Sequence, residues 1–190
     1  MNAIYMDHAA TSPVHPDVMK AMMTSLQNDF GNPSSIHQFG RKSRHALDEA
    51  RSNLARSIHA NPNEVIFTSG GTEADNLAIV GAAKGNHAKG NHIITTAIEH
   101  HAALNACKGL ENEGFRVTYL PVNENGRISI TDLKDAIRPE TILITVMYGN
   151  NEVGTIQPIA EIARIANDSD ILFHTDAVQA YGLINLNVKE

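Results

Sequence analysis

A glycine turn between two apolar segments is the stretch of the sequence best suited to hold a phosphate. The segment Glu64–Phe67, which predicts a strand, is followed by Thr68-Ser69-Gly70-Gly71-Thr72 and by a helix predicted over 76–83. The first N–H groups of a helix lack intrahelical partners and carry partial positive charge, and the Ser69 and Thr72 hydroxyls add donors. The spacing fits neither the dinucleotide glycine pattern nor the Walker lysine pattern, which favours a smaller phosphorylated cofactor. A helix cap beside a tight turn is the alternative.

A carboxylate and an amide follow the last apolar strand of the sequence. Asp176 ends the strand predicted over 171–176, so its carboxylate is expected to be poorly solvated unless a cation meets it. A protonated heterocyclic nitrogen would be such a cation. Gln179 lies on the same face if a helix begins at Asp176, and its amide could then donate to an oxygen on the same ring. The alternative is that Asp176 only caps that helix.

Two further polar positions follow predicted strands. His100 stands between the strand over 92–98 and the helix over 101–113, where an imidazole can stack on a planar ligand or move a proton. A surface or capping histidine is the alternative at this position. Asn150-Asn151-Glu152 follows the strand over 141–147, and an ordinary turn would explain that triplet as well.

The elements that must position these residues alternate between strands and helices. Strands are predicted over 64–67, 92–98, 116–120, 141–147 and 171–176, and helices from 16 onward and over 37–59, 76–83, 101–113, 131–137 and 159–166. Continuously apolar strands separated by helices predict an α/β fold, with a mainly parallel sheet and helices on both faces. Ligands of such sheets bind at the carboxyl ends of the strands. We therefore expect the polar positions to meet at one rim: Gly71-Thr72, Glu99-His100, Asn150-Asn151-Glu152, Asp176 and Gln179.

The composition excludes several classes of function. The 190 residues carry a net charge of −6 without a basic stripe, so no nucleic-acid partner is expected. No apolar stretch reaches the length of a bilayer span and Met1-Asn2-Ala3-Ile4 lacks a signal-peptide pattern, which predicts a cytoplasmic protein without membrane association. The ten histidines include no HExxH-type pair, and Cys107, the single cysteine, is interpreted as a core residue. No metal site is predicted.

Six motifs follow one another along the chain, namely Tyr5-Met6-Asp7-His8-Ala9-Ala10-Thr11-Ser12-Pro13-Val14, Gly31-Asn32-Pro33-Ser34-Ser35-Ile36-His37, Thr68-Ser69-Gly70-Gly71-Thr72-Glu73-Ala74-Asp75-Asn76, Glu99-His100, Asn150-Asn151-Glu152-Val153-Gly154 and His174-Thr175-Asp176-Ala177-Val178-Gln179. In content and order they resemble the motifs of the cysteine desulfurases, which are pyridoxal 5'-phosphate (PLP) enzymes of the class V aminotransferase family. The stretch over 31–37 resembles the NifS/IscS-type branch of these enzymes. The resemblance extends over the whole chain.

The resemblance implies a role for each candidate site residue. The cofactor-binding residues that it implies are Gly71, Thr72, His100, Asn151, Asp176 and Gln179. The glycine turn holds the PLP phosphate, and Asp176 pairs with the pyridinium nitrogen. His100 stacks on the ring and is the implied catalytic residue for proton transfer. Asn151 and Gln179 contact the ring substituents near the phenolic oxygen.

The resemblance also implies the PLP-dependent transferase fold type I, with an incomplete large domain. Residues 1–14 are expected to be an N-terminal segment associated with the small domain and the active-site rim, and residues 15–190 the large PLP-binding domain, truncated before the Schiff-base lysine. In the family that lysine lies in a Ser-x-His-Lys segment, and a later cysteine accepts sulfur while an arginine binds the substrate. Neither Lys189 nor Cys107 stands in the matching context. We therefore expect these 190 residues alone to be inactive.

The implied activity of the parent protein is the conversion of L-cysteine to L-alanine. Sulfur would pass to an enzyme cysteine persulfide and then to a sulfur-acceptor protein of an iron–sulfur cluster or tRNA thiolation pathway. A homodimer is implied as well. The alternatives are another class V PLP enzyme, such as a selenocysteine lyase or an aminotransferase, and a short product that binds PLP or a partner without catalysis.

Overall fold

The computed structural model describes residues 3–189. Met1, Asn2 and Glu190, which belong to the predicted segments 1–14 and 15–190, lie outside the described residues. The chain divides into two compact units, the first formed by residues up to 67 together with 185–189, and the second by residues 68–184. The predicted boundary after residue 14 stays a prediction. No described helix combines the length and the apolar character needed to cross a bilayer.

The first unit contains two helices that the sequence predicts. Helix α1 (Pro16–Asn28) begins with a proline, whose fixed φ suits a first helical position, and α2 (Gln38–Ser57) follows after a loop. The Nδ1 atoms of His15 and His37 cap the two helices by accepting backbone N–H bonds. Helix α1 buries none of its residues, and its apolar side chains at Val18, Met19, Met22, Met23 and Leu26 are at least half exposed.

The strand predicted over Glu64–Phe67 is wrong. A short 3-10 helix occupies Pro62–Glu64, and residues 65–67 continue as extended chain that pairs with no described strand. The N–H and C=O groups of a strand require hydrogen-bond partners on a neighbouring strand. Here the Arg51 side chain of α2 supplies one such partner instead. Its guanidinium donates to the carbonyl of Val65 and lies 4.8 Å from the centroid of the Phe67 ring.

The second unit is an α/β layer built on a parallel sheet. Its strands are β1 (His92–Thr96), β2 (Arg116–Leu120), β3 (Thr141–Thr145) and β4 (Leu172–His174), and its helices are α3 (Gly71–Gly85), α4 (His101–Asn112), α5 (Ile130–Ala136) and α6 (Ile159–Asp168). The strands lie in the order β2-β1-β3-β4, and every pair is parallel. This arrangement confirms the predicted parallel sheet.

Helices cover both faces of the sheet, as the apolar strands predict. Successive side chains of a strand point to opposite faces, and Ile93 and Ile94 of β1 accordingly enter two different cores. Ile93 packs with Ile79 and Leu110 from α3 and α4. Ile94 belongs to the other core, which contains Leu133 and Ile162 from α5 and α6. Every residue of β1 and β3 is buried, so these two strands form the centre of the unit.

Strand β2 has the predicted bounds, whereas β1, β3 and β4 end two residues earlier than the sequence predicts, because the chain leaves the ladder at the rim. Beyond β3 the backbone N–H of Met147 donates to the Glu99 carboxylate at 2.9 and 3.0 Å. The N–H of Tyr148 donates to the carbonyl of Asp176 at 2.8 Å. The carboxyl ends of β1, β3 and β4 are thus tied together by the residues that follow them.

Candidate active site

Helix α3 begins at the glycine turn, with Gly70 as its N-cap and Gly71 as its first residue. A Cβ atom on Gly71 would lie 2.8 Å from Cγ2 of Val178, so the glycine allows the segment after β4 to approach the start of the helix. Thr72 is exposed in the first turn. The predicted helix N-terminus therefore stands at the rim, next to the segment that carries Asp176.

The Ser69 side chain is engaged within the turn itself. Its hydroxyl and its backbone N–H both donate to the Glu73 carboxylate, each at 2.6 Å. These bonds hold the pKa of Glu73 below its ordinary value. The phosphate donors that remain at this turn are the first N–H groups of α3 and the Thr72 hydroxyl, rather than both hydroxyls as the sequence suggests.

His100 is the N-cap of α4. Its Nδ1 accepts the backbone N–H of Ala102 at 3.1 Å, and the imidazole is exposed. The position between a strand and a helix is confirmed, and the capping alternative holds at the same time. Because Nδ1 acts as an acceptor, the neutral ring carries its proton on Nε2.

Asp176 is buried, with 7% of its surface exposed, but no helix begins there. Its Oδ1 accepts the N–H of Val178 at 2.9 Å, which closes a local turn, and the N–H groups of Ala180 and Tyr181 both donate to the carbonyl of Ala177. The condition set for Gln179, a helix beginning at Asp176, is therefore not met, and the alternative that Asp176 caps such a helix is wrong. Gln179 is half-buried in this turn rather than one helical turn beyond Asp176.

Three titratable side chains from distant parts of the chain meet at the rim. A carboxylate oxygen of Asp75, a ring nitrogen of His100 and a carboxylate oxygen of Asp176 all lie within 4.8 Å of one another. Asp75 belongs to α3, His100 is the N-cap of α4 and Asp176 follows β4. The convergence of His100 and Asp176 is the one that the sequence predicts. Asp75 is an addition from the structure.

The position of Asp75 within the helical pattern of α3 indicates that its side chain is buried. The buried residues of α3 are Asp75, Ile79 and Ala83, which are spaced four residues apart and so share one face of the helix. A carboxylate on the buried face of an apolar helix is rare unless it has a partner. Helical periodicity applied to α3 would have selected Asp75.

The rim concentrates buried carboxylates. Burial, and then the neighbouring Asp176 carboxylate, raise the pKa of Asp75 to about 6. Burial raises the pKa of Glu99 to about 7, against the lowering effect of its bonds from Met147 and Thr96. Among residues 3–189 the basic side chains within 4.0 Å of these carboxylates are limited to His174 beside Asp75, and burial lowers the pKa of His174, so that this contact brings no positive charge near pH 7. The rim is therefore short of positive charge.

The loop after β3 joins His100 at the same rim. A cavity of about 240 Å³ is lined by residues 97–101 with Leu104 and by residues 150–153, so that His100 and Asn151 share it. Asn150 builds the loop: its Nδ2 donates to the carbonyl of Ile98 at 2.9 Å, and its Oδ1 accepts the N–H groups of Glu152 and Val153. The predicted turn is thus real, and it holds Asn151 beside His100.

Comparison with known proteins places this arrangement in a family. Residues 4–190 match the family described as "Aminotransferase class-V". The cysteine desulfurase IscS of Methanosarcina thermophila is 54% identical over 188 residues, which are 99% of this chain and 46% of that protein. The corresponding enzyme of Dictyoglomus turgidum is 54% identical over 187 residues, 98% of this chain and 48% of the relative. The chain spans about half the length of the curated relatives it matches.

Solved structures give the same result for the fold. A structure described as "SspA in complex with cysteine" superposes with a TM-score of 0.93 at 42% identity, over 97% of this chain and 53% of the other. A "NIFS-LIKE PROTEIN" superposes with a TM-score of 0.95 at 35% identity, over 98% and 52%. The fold is that of the type I PLP-dependent transferases. The chain belongs to the class V aminotransferase family, within which it is similar to the cysteine desulfurases of the IscS and NifS type.

Proposed function

We propose that this chain is the cofactor-binding part of a PLP-dependent cysteine desulfurase, which converts L-cysteine to L-alanine. The observation that carries the proposal is the convergence of Asp75, His100 and Asp176 within 4.8 Å at the carboxyl ends of the strands. The sequence similarity to cysteine desulfurases and the likeness to a structure described as a complex with cysteine support the choice of substrate.

The residues at the rim fit PLP at both ends of the molecule. The carboxylates of Asp75, Glu99 and Asp176 are buried and short of positive charge, which suits a protonated ring nitrogen. The start of α3 offers N–H groups and partial positive charge for a phosphate, and Gly71 leaves room beside Val178.

Bound PLP supplies a ring that accepts electrons from a substrate carbon. The residues of this chain bind and orient it. The N–H groups at Gly71 and Thr72 would bind the phosphate, and Asp176 would hold the proton on the ring nitrogen. The His100 imidazole would lie against the ring and would have Nε2 available for proton transfer, since its Nδ1 accepts the N–H of Ala102. Asn151 and Gln179 would bind oxygen on the ring.

The proposal includes the reaction partners of the whole protein. Sulfur from L-cysteine passes to a cysteine persulfide of the enzyme and then to an acceptor protein for iron–sulfur cluster assembly or tRNA thiolation. The protein is a cytoplasmic homodimer. A polypeptide limited to these 190 residues is inactive, because none of its lysines stands in the family's Ser-x-His-Lys context.

The test uses the protein as its own gene encodes it, loaded with PLP. Incubation with L-cysteine and a thiol reductant is expected to release alanine and sulfide in equal amounts. Asp176→Ala should abolish both products, whereas Asp168→Ala, which changes an exposed aspartate at the end of α6, should preserve them. A protein that binds PLP but forms alanine only from selenocysteine, or only exchanges amino groups, would overturn the assignment in favour of another class V enzyme. Failure to bind PLP would overturn it altogether.

A further inference from the structure

The proposed activity gives Asp176 the contact with the ring nitrogen, but it gives Asp75, a second buried carboxylate of the rim, no contact of its own. Its side chain is 6% exposed, and its Oδ1 lies 3.6 Å from Nε2 of His174. The Nδ1 of His174 lies 2.8 Å from the Thr145 hydroxyl. A chain of contacts therefore runs from β3 through β4 to α3 and ends beside Asp176, within 4.8 Å of its carboxylate.

The surroundings of Asp75 offer little compensation for a negative charge. Four titratable groups face it among residues 3–189, namely Asp176 and His174 from the β4 segment, and Glu99 and His100 from the start of α4. Burial lowers the pKa of His174, so that this imidazole is neutral near pH 7. A purely structural position on the same face as Ile79 and Ala83 would be better filled by an apolar side chain.

We propose that Asp75 is a positioning residue that acts through Asp176, by adding a second negative charge behind the carboxylate that holds the ring nitrogen of PLP. This inference rests on the proposed function. Two carboxylates at this distance repel each other in the unloaded protein, and a cation placed against Asp176 relieves that repulsion. The added charge favours the protonated ring over the neutral ring.

The role has a pH dependence that a structural role lacks. Above pH 6 Asp75 is ionised and strengthens the hold on the ring cation. As the pH falls through 6, Asp75 takes up a proton and its contribution disappears. Asn at this position has nearly the same shape, but it has no charge to lose.

The experiment compares PLP binding by the unsubstituted protein, Asp75→Asn and the surface control Asp168→Asn, each at native length, from pH 5 to pH 8. Equilibrium dialysis gives the dissociation constants. At pH 8 we expect Asp75→Asn to bind PLP about tenfold more weakly than the unsubstituted protein, given the separation of the charges. At pH 5 the ratio should fall below about twofold as Asp75 becomes neutral. Asp168→Asn should match the unsubstituted protein throughout.

The outcomes separate this inference from the function on which it rests. Equal PLP affinity of Asp75→Asn and the unsubstituted protein at pH 8, or a ratio that does not change with pH, would overturn the inference and leave the proposed function standing. An unsubstituted protein that fails to bind PLP overturns both. If Asp75→Asn does not fold, Asp176→Asn replaces it. Removal of the Asp176 charge should then lower the titration midpoint of Asp75 in carboxyl carbon NMR, and an unchanged midpoint would refute the coupling.

Discussion

The carboxylate of Asp75 lies 3.6 Å from Nε2 of His174, and the opposite nitrogen of that ring lies 2.8 Å from the Thr145 hydroxyl. These contacts join helix α3 to strands β3 and β4 through three largely buried polar side chains. The pair lies behind Asp176, where a cofactor cation is proposed to bind. The negative charge of Asp75 is therefore expected to destabilise the PLP-free protein and to stabilise the PLP-bound protein.

The cost should appear in the stability of the PLP-free protein. The pKa of Asp75 is raised from 3.8 to about 6, so the folded state binds the proton more tightly than the unfolded chain. The stability that this proton provides is present below pH 3.8 and is lost as the pH rises through 6. At pH 8, Asp75→Asn should therefore stabilise the PLP-free protein by about 2 kcal/mol relative to its effect at pH 4. Urea unfolding at the two pH values measures the difference.

Asp168→Asn provides the control for this measurement, because Asp168 is exposed. Its effect should differ little between pH 4 and pH 8. A stability difference for Asp75→Asn that has the same size at both pH values would contradict the assigned titration. The pKa of Glu99 is raised to about 7, chiefly by burial and in part by the Asp75 charge, so Asp75→Asn also reduces the destabilising effect of Glu99 at pH 8.

The parallel sheet could be predicted from the sequence because its strands are continuously apolar. Ile93 and Ile94 are adjacent apolar residues that enter opposite cores, and this pattern requires helices on both faces. Because ligands of such sheets bind at the carboxyl ends of the strands, the sequence also predicted that His100 and Asp176 lie close together, and the structure brings them together. Periodicity and a topological rule were sufficient for this part of the site.

The remaining details depend on local hydrogen bonds that hydrophobic patterns do not encode. The Asp176 carboxylate accepts the N–H of Val178 and closes a turn, whereas the sequence left open a helix beginning at this residue. The Ser69 hydroxyl donates to Glu73, whereas the sequence predicted it as a donor to a phosphate. The apolar run at 64–67 has the composition of a strand, but it lacks a paired neighbour among the described residues. Each of these outcomes depends on which hydrogen-bond partners lie within reach in the folded chain.

The glycine at the start of α3 should matter for the cofactor more than for the fold. A Cβ on Gly71 would lie 2.8 Å from Cγ2 of Val178, whose side chain is mostly exposed and can move aside. Gly71→Ala should therefore weaken PLP binding by roughly fivefold with little loss of stability. Gly81→Ala in the same helix meets no atom within 4 Å and should instead stabilise the protein by about 0.5–1 kcal/mol.

The double variant Gly71→Ala with Val178→Ala tests the cause. Removal of the Val178 methyl groups relieves the clash and should restore most of the lost PLP affinity. Dissociation constants and unfolding midpoints of the four proteins are sufficient. If Gly81→Ala also weakened PLP binding, the loss of affinity would come from a change in the whole helix and not from the contact between residue 71 and Val178.

His92 should contribute to acid sensitivity. It is fully buried in β1, and its ring nitrogens lie 2.7 and 2.8 Å from the hydroxyls of Thr141 and Thr118. Burial lowers the pKa of His92 from 6.5 to about 4, so the unfolded chain binds the proton first. Stability from this residue is present above pH 6.5 and is lost as the pH falls to 4, by about 3 kcal/mol.

The variant His92→Gln should flatten that acid loss, although it costs stability at pH 7 through the lost hydrogen bonds. Hydrogen exchange of the peptide over β1, measured between pH 5 and 7 and corrected for intrinsic rates, follows the local effect. His45, which lies exposed on α2, provides His45→Gln as the matched control with no expected change in slope. An unchanged pH slope in His92→Gln would rule out the buried neutral imidazole.

Cys107 should be inert in the native protein. It is fully buried in α4, and burial raises the pKa of its thiol to about 12, so the reactive thiolate is absent at neutral pH. Maleimide labelling followed by peptide mapping should leave Cys107 unmodified until the protein unfolds. Cys107→Ala should lower stability by about 1 kcal/mol and leave alanine formation from L-cysteine intact. Labelling of Cys107 in the folded protein would reopen its role as a sulfur carrier.

Asn150 and Asn151 should separate structure from binding. Asn150 is buried and bonds to Ile98, Glu152 and Val153, so Asn150→Ala leaves several of these groups unpaired. We expect a loss of about 1–3 kcal/mol in stability and faster hydrogen exchange over 150–154. Asn151 is only half-buried and lines the cavity with His100, so Asn151→Ala should preserve exchange rates while PLP affinity falls by roughly fivefold, the worth of one hydrogen bond. If Asn151→Ala accelerated exchange as much as Asn150→Ala, its side chain would be a part of the loop framework and would not be available to the cofactor.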